Sequence, residues 1–183
     1  MLLEETKWIL KNGQEILIRS ATSEDAEAIS NHRYATSRET HFMAREPEDG
    51  RCKVEIVREN LRQIEQSERE FTVTAFLDGK IIGDAGVTMV RPFLKWKHRA
   101  YFGISILQKY CELGLGSIML QVAQDQAKKN GFEQIELGVF ADNARAIHVY
   151  EKAGFQKVGI QPRAFKLQDG SYVDEIEMVK FFS

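Results

Sequence analysis

Residues 98–140 read HRAYFGISILQKYCELGLGSIMLQVAQDQAKKNGFEQIELGVF, and the order of patterns inside them decides the architecture. Residues 98–107 have the aromatic and β-branched content of a strand, and 133–140 have it again. Between them Ile118, Leu120, Val122, Ala123 and Ala127 can line one broad helical face, with Lys128, Lys129 and Gly131 marking its end. Strand, helix, strand is a crossover, which predicts two parallel strands in one sheet.

Working outward, EILIRSA (15–21) alternates as a strand does. Thr22, three residues before Asp25, then signals the cap of a helix over 23–35. Residues 36–53 have no steady period and carry Pro47 and Gly50, as expected of a loop or broken helix. Val54, Val57, Leu61 and Ile64 repeat at helical spacing. Residues 70–90 read as two strands joined by Asp78-Gly79, a dipeptide that accepts the positive φ angles of a tight hairpin. Downstream, DNARAIHVYEKAGF (142–155) predicts a short helix capped by Asp142 or Asn143 and stopped at Gly154, followed by two strands around Asp169-Gly170. There is no internal repeat or Pro-rich linker. The expectation is an α/β (α+β) chain, a single domain over 1–183, with a mixed central sheet of about six to seven strands and about four helices.

With 25 basic and 27 acidic side chains, the net charge of -2 gives no bulk attraction to nucleic acid or anionic membrane. Cys52 and Cys111 are too few for a disulfide scaffold and have no metal-type spacing, and His32, His41, His98 and His148 are scattered, so no metal is expected. The N-terminal residues lack the pattern of a signal peptide, and no stretch approaches the ~20 apolar residues of a membrane span. A soluble cytoplasmic protein is expected.

The stretch ELGLGS (112–117) sits between strand and helix. The first turn of a helix leaves main-chain NH groups without intrahelical partners, and Gly114 and Gly116 let an anion approach them closely. A phosphate suits such a place. A Walker loop fails, because the spacing and the Lys-Ser/Thr pair are missing; a dinucleotide-binding turn would need glycine where Met119 stands. A tight turn with no ligand remains open on spacing alone.

Together, FGISILQKYCELGLGSIMLQVAQDQAKKNGFEQIELGVFADNARAIHVYEKAGFQKVG (102–159) resembles the core of the GCN5-related N-acetyltransferase superfamily. The carrying features are the strand, an Arg/Gln-x-x-Gly-x-Gly/Ala-type loop, the helix, the second strand, and Asn-x-x-Ala-x-x-x-Tyr-x-x-x-Gly-Phe from Asn143 to Phe155. The resemblance implies a GNAT-type acyl-CoA N-acyltransferase fold and an acetyl-CoA-dependent enzyme. Cys111, Glu112, Leu113, Gly114, Leu115, Gly116 and Ser117 would form the pyrophosphate loop, with Cys111 where the family usually has Arg or Gln. Strand 103–107 would splay from 135–140, offering main-chain groups near Ile104 and Ile106 to the pantetheine arm. Asn143 would contact the cofactor and Tyr150 would protonate the leaving sulfur. A phenol of pKa about 10 is a plausible donor to a thiolate whose parent thiol lies near 8.5.

The acceptor poses the opposite problem, since an alkylammonium of pKa about 10.4 is neutral in only ~0.04% of molecules at pH 7. Members acting on protein N termini often have a glutamate base at the position held here by Gly138. Glu136 lies two residues earlier on the same side of the strand and is a candidate relay. Acceptor contacts are expected from 31–53, 91–97 and 162–170. The implied function is acetyl transfer to a primary amine of a small molecule (amino acid, polyamine or antibiotic-like). The alternatives are a ribosomal or other protein N terminus as acceptor, or a non-catalytic acyl-CoA-binding module. A homodimer is compatible with the family.

Overall fold

The computed structural model describes residues 1–50 and 53–182, so Cys52 lies outside the described residues. The strands are β1 (Thr6–Ile9), β2 (Glu15–Arg19), β3 (Phe71–Leu77), β4 (Lys80–Met89), β5 (Arg99–Ile106), β6 (Gln134–Phe140), β7 (Gln156–Lys166) and β8 (Tyr172–Phe181). They form one sheet in the order β1-β2-β3-β4-β5-β6-β8-β7. Only β5 and β6 run parallel, joined by the crossover that 98–140 predicts; every other pair is antiparallel. The helices are α1 (Ala26–Glu39), the one-turn α2 (Pro47–Gly50), α3 (Val54–Gln66), α4 (Leu115–Lys129) and α5 (Ala144–Lys152).

Eight strands is one more than the upper expectation. The addition is β1, four residues that pair only with β2 at the sheet edge and are mostly exposed, so they carry no buried alternation to read. The hairpin falls as expected, with Asp78 at φ 49° and Gly79 at φ 74°.

Adjacent strand residues divide between two cores, as period-two alternation requires. Ile18, Ala75 and Ile82 belong to the larger one with α4, while Phe76 and Ile81 join Ile29, Val57 and Leu61 of α1 and α3 in the smaller. Leu115, Met119, Leu120, Ala123 and Ala127 are the buried apolar residues of α4; Ile118 and Val122 are only partly buried, so its inner face is rotated from the one the sequence suggests. Each fully buried Leu or Met contributes about 1.5–3 kcal/mol. On the smaller-core side α1 and α3 pack on β3, β4 and β5, and the same face of β6 and β8 is left open.

Candidate active site

The β5–β6 ladder runs from Arg99↔Gln134 to Tyr101↔Glu136 and stops. Beyond it β5 stays with β4 as far as Gly83↔Ile106, and β6 stays with β8 as far as Phe140↔Glu175. The strands therefore fork. Backbone groups alternate sides along a strand, and the carbonyl of His98 points to β6 while that of Arg99 points to β4. The main-chain groups of Ile104 and Ile106 consequently face the fork, as does that of Gly138 on the opposite strand. The forked strands present a row of backbone donors and acceptors able to hold an amide-bearing arm.

The loop before α4 meets the fork. Gly114 is the N-cap at φ 87°, and Glu112 also takes a left-handed conformation at φ 67°. The first backbone bond of the helix is Ile118 NH to the Gly114 carbonyl, 3.1 Å, so the NH groups of Leu115, Gly116 and Ser117 have no partner within it. A Cβ on Gly116 would lie 3.4 Å from the Ile106 side chain, so the end of β5 and the helix mouth adjoin. These groups fit a diphosphate with its pantetheine arm.

Two cations missed by sequence reading stand beside this loop. The Lys11 side chain lies 3.7 Å from where a Cβ on Gly114 would be, and Lys11 NH donates to the Leu113 carbonyl at 3.1 Å. Arg145, in the first turn of α5, is 3.8 Å from Glu112 and close to Cys111. Lys11, in the β1–β2 turn, is remote in sequence from the loop, and Arg145, although inside the Asn143–Phe155 run, meets the loop only because the fold brings the start of α5 to it. Burial raises the Cys111 thiol above its ordinary range despite Arg145, which argues against a thiolate nucleophile.

Of the two cap candidates, Asn143 serves: its Oδ1 accepts the Ala146 NH at 3.1 Å, leaving its NH2 able to donate outward. Asp142 instead meets His41 at 2.8 Å. Tyr150, two turns along α5, packs on the larger core beside Phe155, with ring centroids 5.9 Å apart. Burial first, and the nearby Tyr101 second, push its phenol well above the usual range. Gly154 at φ 94° ends the helix as expected.

On the open face of the sheet lies a cleft of ≈ 360 Å³ lined by Arg99, Tyr101, Glu136, Gly138, Glu175 and Glu177, among others. Glu136 accepts from the Arg99 guanidinium with both oxygens, one at 2.6 Å, and from Gln134 at 2.8 Å. Arg99 in turn stacks 4.4 Å over Trp96, bringing 91–97 to the cleft. After α1 the chain crosses the far ends of β6 and β7: Phe42 packs on Phe140, Phe140 stacks on Phe165 at 3.7 Å, and Gln168 donates to Glu46 at 2.9 Å. Segments 31–53 and 162–170, expected to shape the acceptor side, thus meet. Among the described residues, no group of three or more His, Cys, Asp or Glu is placed to hold a metal ion, and no helix is long and apolar enough to cross a membrane.

The sequence model described as "Acetyltransferase (GNAT) family" matches residues 28–155. The chain is 29% identical over 170 residues, 91% of its own length and 98% of the relative's, to the L-amino acid N-acetyltransferase AaaT of Escherichia coli (strain K12). A GNAT-family acetyltransferase structure from Streptococcus pneumoniae superposes with TM-score 0.86 at 31% identity, covering 91% of this chain and 99% of that one. The yncA protein of Salmonella typhimurium, solved with its cofactor acetyl-CoA, shares the fold at TM-score 0.81 and 18% identity, covering 92% and 94%.

Proposed function

Because the chain belongs to the acetyltransferase (GNAT) family and is an acetyl-CoA-dependent N-acetyltransferase, we propose that its acceptor is the primary amine of a small molecule, attacked directly. The observation that carries this reading is the fork between β5 and β6, with a helix N-terminus on one side and a carboxylate-lined cleft on the other. Acetyl-CoA supplies an acyl group activated as a thioester. The amides of Leu115, Gly116 and Ser117, with Lys11 and Arg145, hold the diphosphate; the main chain at Ile104 and Ile106 holds the arm; the Asn143 NH2 steadies it. Tyr150 keeps its proton until the leaving thiolate needs one. Glu175 and Glu177 attract the acceptor as its ammonium form.

Two observations favour a small acceptor over a protein N terminus. A sequence likeness spanning 91% of the chain is to an enzyme named for amino acids, and the Phe42–Phe140–Phe165 packing narrows the approach at the strand ends. In this reading residues 1–183 act as one domain, in the cytoplasm. The test is a thiol-release screen with acetyl-CoA against amino acids, polyamines, aminoglycosides and N-terminal peptides. Turnover confined to the peptides would overturn the small-molecule assignment, and binding of acetyl-CoA without turnover of any amine would leave a non-catalytic module.

A further inference from the structure

We propose that Glu175, reaching across from β8 into the notch left by the bare Cα of Gly138, is the general base that takes the proton from the acceptor amine; the inference rests on the acetyl-transfer reading above. Glu175 is paired in the ladder with Phe140, yet its side chain lies diagonally over Gly138. A Cβ built on Gly138 would stand 1.9 Å from Glu175 Oε1 and 2.6 Å from its Cδ, so any residue but glycine would expel the carboxylate. Gly138 is two residues past the last β5–β6 pair, at the throat of the fork.

The neighbouring acid is disposed in the opposite sense. A Cβ on Gly159 would stand 2.8 Å from Glu177 Oε2, so the two carboxylates lean apart, each over a glycine of a different flanking strand. Only that of Glu175 is at the fork. Tyr101 lines the same cleft as Glu175: the Gly138 NH is directed at its hydroxyl, which feels the charge of Glu175, and Tyr101 also lies near enough to Tyr150 to raise it. Glu175 and Tyr101 thus face one cleft, with Tyr150 close to Tyr101.

Of the other carboxylates near the cleft, Glu177 leans away over Gly159 and three are engaged. Glu136 is held by Arg99 and Gln134, Asp142 by His41, and Asp174 accepts the Arg163 NH at 2.8 Å. Among the described residues Glu175 has no cationic partner; burial and the adjacent Glu177 raise it above the usual carboxylate range. The charged and titratable groups around it are Glu177 on β8, Tyr101 on β5 and the Arg99–Glu136 pair. An unpaired carboxylate with raised basicity is suited to this proton transfer. In the step, the acceptor's N–H bond breaks and its proton passes to Glu175, directly or through one water. The N–C bond forms, the C–S bond breaks, and the thiolate takes the proton of Tyr150.

The test compares Glu175→Gln with the wild type, using an amine that the wild type turns over. Expected is a fall in kcat/KM for the amine of about 10²- to 10⁴-fold at pH 7. The deficit should shrink as pH rises toward the amine's own pKa, because free amine then needs no base. Acetyl-CoA affinity by calorimetry stays within about twofold. Gly138→Ala, which displaces the carboxylate, lowers the rate similarly, and Gly138→Asp combined with Glu175→Ala restores much of it by refilling the notch. Independently of any acceptor, ¹³C-carboxylate titration by NMR should assign Glu175 a pKa above the ordinary glutamate range. A Glu175→Gln enzyme with wild-type rate and pH profile, or an ordinary titration, overturns the proposal. Wild-type protein that binds acetyl-CoA but acetylates no amine overturns the acetyl-transfer reading instead.

Discussion

Tyr150 and Gly114 depend on opposite kinds of surroundings. Burial and a nearby tyrosine raise the phenol, so it holds its proton more tightly than a free phenol does; in the proposed role it gives that proton up only when a thiolate forms against it. Tyr150→Phe should therefore lower kcat by roughly ten- to a thousandfold and leave acetyl-CoA affinity nearly unchanged, as read by steady-state kinetics and calorimetry. Gly114, by contrast, meets no close neighbour, its would-be Cβ being 3.7 Å from Lys11, so what the protein's own fold requires of it is its φ of 87°. Gly114→Ala should cost about 1–2 kcal/mol in a urea melt through left-handed backbone strain alone. Arg145 is exposed and screened, and its contribution is correspondingly small. Arg145→Ala should raise KM for acetyl-CoA about two- to fivefold with kcat retained, and the effect should fade with added salt.

Helix α1 is tied to the sheet by polar contacts that the apolar pattern does not register. His32 Nε2 meets Ser105 Oγ on β5 at 3.0 Å, and Arg33 approaches Asp84 on β4 at 3.9 Å, with Thr74 donating to that carboxylate at 2.9 Å. Burial lowers His32 below its ordinary 6.5, and burial raises Asp84 above its ordinary 3.8. A depressed histidine is stabilising while neutral: below about pH 6.5 the unfolded chain takes up a proton that the folded chain refuses, so stability falls as pH falls through that value. The raised Asp84 acts in the opposite direction, since the folded state binds its proton first. The histidine contribution is isolated by difference. The stability of the wild type relative to His32→Gln, from urea titrations, should decline between pH 7.5 and 5.5, by up to about 1.4 kcal/mol per pH unit.

At the scale of the molecule, the proposed acetyl-CoA site joins parts that are far apart in the chain: the α4 mouth, β5, β6, α5 and, through Lys11, the N-terminal edge. A ligand that binds only the folded state at a hundredfold its Kd stabilises by about 2.7 kcal/mol, which for a chain of this size is a Tm shift of about 5–10 °C. Thermal melts should show this with acetyl-CoA and no shift with NADH, because the loop lacks the third glycine of a dinucleotide turn. An equal shift with NADH would remove the acyl-CoA assignment of the loop.

The periodicities of 98–140, the hairpin at Asp78-Gly79 and the Gly154 stop were legible because each is a local requirement of backbone geometry on nearby residues. The motif from Asn143 to Phe155 was legible through the resemblance to a known family, its members lying close together from the Asn143 cap along α5 to just past its end. What tertiary structure alone decided is which strangers meet. Glu136 looked available until Arg99 was seen to hold it, and Glu175, Lys11 and Arg145 acquired their positions from a diagonal across two strands, a sheet edge and a helix end. Such meetings depend on strand order and on where a parallel ladder stops, and those follow from packing the whole sheet.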